Sequence, residues 1–200
     1  MAVAGRAGRR LTAALLSEIF ACRHCEAHLP HGPRPVVQFS ETSRILIIGQ
    51  APGSKVHASG IPWDDDSGDR LREWTGLSKE QFYDPKLIAL MPMGFCYPGR
   101  ASGGDKPPRP ECAPLWHERV LAALPSERLT LLVGTYAQQS YLTETKRWSL
   151  AKRVESFRHF LPGVFPLPHP AWRSTIFMRK HPWFEGELLP ELRAAIAARI

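Results

Sequence analysis

The stretch RILIIGQAPG (44–53) decides the fold. Its aliphatic run has no polar alternation, which marks a strand covered on both faces, and Gly-Gln-Ala-Pro-Gly then halts it and opens a loop. Working outward, KLIALMP (86–92), RLTLLVG (128–134) and GVFPLPHP (163–170) are three more short apolar runs stopped by Gly or Pro. Helical patterns lie between and around them, over 69–77, 109–124, 135–142 and 147–160, with an amphipathic pattern closing the chain at 182–199. Strands separated by helices predict right-handed crossovers and an α/β fold. The expected architecture is three layers, α/β/α, around a central four-stranded parallel sheet, in one domain over residues 1–200.

The 200 residues hold 44% hydrophobic and 22% charged side chains, enough to bury a core. No apolar run approaches the length of a membrane span, so no membrane association is expected. Lys and Arg number 26 against 19 Asp and Glu, and the net charge of +7 favours a polyanionic partner such as nucleic acid. The first residues are basic, as in a transit peptide. The spacing of Leu11, Ala14, Leu15 and Ile19 instead predicts a basic helix over 1–21 that runs into Cys22. YPGRASGGDKPPRP (97–110) reads as a basic low-complexity loop.

In a parallel sheet, ligands bind beyond the carboxyl ends of the strands. The groups falling there are Gly49, Gln50, Ala51, Pro52 and Gly53, then Cys96, then Thr135 and Tyr136, then His169. The Gly turn allows a ligand close to backbone N–H groups, yet it lacks the patterns of a dinucleotide site or a P-loop. Gly60-Ile61-Pro62-Trp63 presents an aromatic able to stack on a flat base, and Asp64, Asp65 and Asp66 follow. His169 stands between Pro168 and Pro170, and a fixed backbone aims its imidazole toward a developing anion.

Four cysteines are too few for a disulfide scaffold in a chain of this length, and no secretory signal precedes them. A cytoplasmic setting is expected. Cys22 and Cys25 form C-x2-C, while Cys96 and Cys112 flank the basic loop. Thiolates suit tetrahedral zinc or an iron–sulfur cluster, and buried cysteines also serve as small apolar residues.

Together these motifs resemble the uracil-DNA glycosylase superfamily, most closely its iron–sulfur, family 4-like branch. That branch carries Gly-Glu-Ala-Pro-Gly, then Gly-x-Pro-Phe, then His-Pro-Ser/Ala; here they read 49–53, 60–63 and 169–171. Its cysteines come as C-x2-C and about C-x15-C, which matches 22, 25, 96 and 112. The resemblance covers 22–199. It implies a monomeric, monofunctional DNA glycosylase that flips deoxyuridine out of single- or double-stranded DNA and leaves an abasic site. It further implies that the 49–53 backbone grips the base, that Trp63 stacks on it, and that His169 and Gln50 occupy the catalytic positions. A structural [4Fe-4S] cluster, with zinc as the alternative, would fix the basic loop against DNA. Arg100, Lys106 and Arg109 would clamp phosphates there.

Three departures stand out. Gln50 replaces the family's Glu, which leaves Asp64, Asp65, Asp66 or His57 as candidates for positioning water. Pro92 replaces the base-reading Asn. Trp172 and Arg173 follow His169-Pro170-Ala171 where duplex-wedging leucines are usual, making Pro170, Trp172 and Arg173 DNA-contact candidates. No histidine occurs in 97–111, so ordinary turnover is expected rather than covalent trapping. Two other classes fit the composition: a catalytically weak damaged-DNA-binding module, and a zinc-bearing nucleic-acid adaptor.

Overall fold

The computed structural model describes residues 2–172 and 174–200. Strands β1 (Ile45–Ile48), β2 (Ile88–Leu90), β5 (Leu129–Val133) and β6 (Val164–Leu167) form one parallel sheet in the order β2-β1-β5-β6. This is the expected four-stranded sheet, and helices flank it.

The even burial of β1 follows from its two-sided packing. Ile45 and Ile47 face a cluster built with Leu71 and Trp74 of α3 (Asp66–Thr75), Phe82 of α4 (Lys79–Tyr83) and Leu192 and Ile196 of α9 (Leu189–Ala197). Leu46 and Ile48 face the opposite cluster, with Leu15 and Ile19 of α1 (Ala2–Phe20) and Trp116 and Val120 of α5 (Cys112–Ala123). Successive side chains point to opposite faces, so two covered faces demand an unbroken apolar run. Pro166 is tolerated inside β6 because that strand lies at the sheet's edge and pairs with β5 alone. The other edge is covered where Gln38 pairs antiparallel with Leu90, with N···O distances of 3.0 and 2.7 Å.

Several boundaries differ from the sequence reading. The helix expected over 109–124 begins at Cys112, since Pro110 cannot continue a helix backward and Pro114 suits a first turn. The 147–160 pattern divides into α7 (Leu150–Glu155) and a 3-10 segment, Phe157–Phe160. The closing pattern divides into a π-helical turn, Phe184–Leu188, and α9. The basic loop contains a small hairpin, β3 (Arg100–Ala101) with β4 (Gly104–Asp105). Short helices α2 (Ser54–Ser59) and α8 (Ser174–Lys180) complete the mouth of the sheet, and α6 (Thr135–Tyr141) follows β5. No helix among the described residues is long and apolar enough to cross a membrane.

Candidate active site

The turn after β1 is pinned to the chain leaving β2: Met93 N–H donates to Gly49 O and Gly94 N–H to Gln50 O, both at 2.9 Å. Among the described residues no backbone group accepts from the N–H of Gln50, Ala51 or Gly53, which leaves donors at the mouth. Gln50 itself is half-buried, and its side chain takes no hydrogen bond among the described residues.

Trp63 closes one side of this turn. A methyl group on Gly49 would lie 2.6 Å from Trp63 Cζ2, so glycine is required for the ring to sit there. Trp63 holds φ at 58°, the left-handed region that a bulky residue rarely adopts. Two features hold it: the Tyr83 hydroxyl donates to Trp63 O at 3.3 Å, and Gly68 lets that carbonyl approach the start of α3. A Cβ on Gly68 would lie 1.7 Å from Trp63 O.

His169 follows β6 and meets Trp63 with ring centroids 5.9 Å apart. Gly134 abuts it after β5, and its φ of 87° is what calls for glycine, since a methyl there would lie at contact distance, 3.4 Å from His169 Cβ. The imidazole is half-buried and has no hydrogen-bond partner among the described residues. Burial lowers its pKa from the ordinary histidine value, and the negative charge of Asp65 opposes that shift. At neutral pH it is a neutral ring whose N–H is available to a ligand.

Further side chains hold this arrangement, Arg70 and His117 among them not marked out by the sequence. Asp65 caps α3, its Oδ1 accepting from Gly68 N–H at 2.9 Å. Arg70 donates to Ala171 O at 2.7 Å and Ser174 Oγ at 3.3 Å, tying α3 to the loop that carries His169. His117 bridges the Tyr141 hydroxyl (2.7 Å) and Pro92 O (3.1 Å). Burial pushes its pKa down to about 4, so the neutral ring donates from Nε2 to Pro92 O and accepts at Nδ1. The position expected to read the base therefore offers a carbonyl already engaged from behind.

A family model described as the uracil DNA glycosylase superfamily matches residues 36–193. The chain belongs to that superfamily. Membership makes it a DNA glycosylase-type hydrolase, and its fold is the one the sheet order displays. In this glycosylase fold the matched span holds both mouth motifs, Cys96 and Cys112, whereas Cys22 and Cys25 precede it.

All four cysteines line one pocket, together with apolar neighbours such as Leu29, Phe95 and Trp116. Phe95 N–H points at Cys112 Sγ, 3.3 Å away. Burial, with a smaller contribution from the neighbouring thiols, pushes Cys96 up to about 11 and Cys112 up to about 12. Among the described residues no three His, Cys, Asp or Glu side chains are gathered into a metal-ion ligand set.

The remaining sequence candidates are distributed around the mouth. Arg100 and Lys106 are exposed on the hairpin. The Arg109 guanidinium instead pairs with Glu111 at 2.6 Å and lies against Cys25, so it faces the thiol pocket. Trp172 is 67% exposed and Pro170 is buried. His57 lies one turn into α2, its ring 5.7 Å from that of Tyr97, with Nδ1 buried and without a hydrogen-bond partner among the described residues. Asp64 bears on Tyr83 rather than on His169. The expected role of Arg173 concerns a residue outside those described.

Proposed function

We propose that this glycosylase excises uracil, or a related deaminated base, from DNA by hydrolysing the N-glycosidic bond. The observation that carries the reading is His169: a neutral, half-buried imidazole, unpartnered among the described residues, that faces Trp63 beside the Gly49–Gly53 turn. A base flipped from the stack enters beyond the strand ends, where Trp63 covers one face and the N–H groups of 50, 51 and 53 reach its edge. As the C1′–N bond lengthens, the base takes the electron pair, and the His169 N–H donates to the oxygen where negative charge gathers. The sugar becomes oxocarbenium-like, water captures it, and an abasic site remains. Pro92 withholds a side-chain amide, so selection among bases rests on these backbone donors and on the shape set by Trp63. Arg100, Lys106 and the exposed Trp172 ring supply contacts to the DNA backbone and stack.

The Cys22, Cys25, Cys96 and Cys112 pocket is assigned in this reading to a [4Fe-4S] cluster. Four soft thiols on one apolar pocket, with a backbone N–H aimed at one sulfur, support it. Such a cluster, when bound, supplies a cross-link between the chain after α1 and the two ends of the basic loop. Cys112→Ser is expected to lower the folded yield several-fold and bleach the visible chromophore of anaerobically purified protein. A colourless, zinc-loaded wild type would contradict the iron–sulfur assignment.

The excision reading is tested by incubating the protein with single- and double-stranded oligonucleotides containing uracil, hypoxanthine or xanthine, followed by alkali. Strand scission at uracil is the expected result. Intact strands on every substrate, with DNA still bound, would instead favour a damage-binding module.

A further inference from the structure

Hydrolysis requires a group to hold the attacking water and receive its proton, and Gln50 has no carboxylate for this. Three aspartates come into question. Asp64 bears on the Tyr83 hydroxyl and has no atom within 4 Å of where a Gly53 methyl would be. Asp65 caps α3 through Oδ1, and it is the carboxylate whose charge acts on His169. Its Oδ2 also reaches the turn, 3.9 Å from where a Gly53 methyl would be, but that carboxylate is engaged by the cap and by His169. Water must enter C1′ from the face opposite the departing base, so its holder is sought in a carboxylate at the turn that does not act on His169.

Asp105 meets that requirement. The hairpin carries it from a distant stretch of sequence onto the turn, and its Oδ2 lies 3.4 Å from where a Gly53 methyl would be. Its Oδ1 accepts from the Tyr97 hydroxyl at 3.3 Å, which leaves Oδ2 toward the turn. Tyr97 is fixed in turn, its ring stacked on His31 at 5.4 Å and flanked by His57. Gly104, at φ 141°, gives the hairpin the backbone it needs one residue earlier.

We propose that Asp105 is the catalytic base that holds and deprotonates the attacking water, an assignment that rests on the excision reading above. The water oxygen bonds to C1′ as the C1′–N bond breaks. The base leaves with the electron pair and is received by the His169 N–H. The proton of the water passes to Asp105 Oδ2 and from there to solvent. Asp65, the second carboxylate at the turn, acts as a positioning residue for α3 and the His169 electrostatics.

The test is single-turnover excision from a uracil oligonucleotide by the wild type, Asp105→Asn and Asp105→Glu, with affinity for an uncleavable abasic-analogue oligonucleotide measured in parallel. Asp105→Asn is expected to slow excision by roughly 10²–10³-fold with affinity unchanged, as for loss of a proton acceptor. Asp105→Glu should recover part of the rate. An Asn variant as fast as an active wild type, or one whose loss is matched by weakened binding, would overturn the role of Asp105 alone. A wild type inactive on every base would overturn the excision reading and this assignment with it.

Discussion

His169→Ala is expected to reduce excision by roughly 10²–10³-fold, the usual consequence of removing one transition-state donor. The size follows from the site. The imidazole is half-buried, its burial keeps it neutral, and among the described residues it has no hydrogen-bond partner to release before it meets the departing base. A donor already desolvated and aimed needs no reorganisation at the moment of bond breaking, so its removal is felt almost wholly in the chemical step. The β6 end and Gly134 set the position of the residue through backbone, so truncation leaves the sheet intact. DNA affinity should therefore stay near that of the wild type while the single-turnover rate falls. An unchanged rate would remove His169 from the mechanism.

Gly68→Ala is expected to destabilise the protein by about 3 kcal/mol, at the upper end of overpacking penalties. Within a helix the same exchange ordinarily stabilises, so the sign itself is diagnostic. Here the added Cβ would lie 1.7 Å from Trp63 O and 2.7 Å from Trp63 C, both backbone atoms that cannot swing aside. Relief requires either shifting the first turn of α3, which breaks the Asp65–Gly68 cap, or displacing Trp63 from its left-handed conformation. The second outcome moves the ring off Gly49 and away from His169. Excision should fall with stability, and urea unfolding beside the excision assay measures both. A variant as stable and active as the wild type would show that Trp63 is not held in the way described.

The sheet was legible in the sequence because two-sided burial leaves unbroken apolar runs, and 44–50 is the clearest of them. The turn at 49–53 and the 168–170 Pro-His-Pro segment were legible for a related reason: Gly and Pro stop strands where the sheet's mouth must open. Asp105 was not legible, because its only local context is a Gly-rich basic stretch. Tertiary placement by the hairpin, not a spacing pattern, brings it to Gly53. Arg70 was hidden similarly, since one arginine on an amphipathic helix carries no sign that it grips Ala171 O. Arg109 read as a free cation among prolines; its pairing with Glu111 and Cys25 depends on how α5 begins. The short helices α2 and α8 escaped periodicity because six or seven residues span barely two turns.

The central claim is that this mouth releases a base from DNA. Mass-spectrometric detection of free uracil after incubation with a uracil-containing single-stranded oligonucleotide tests it most directly. The account predicts stoichiometric uracil release with an abasic strand left behind. Intact oligonucleotide with no free base, from folded protein that still binds DNA, would contradict it.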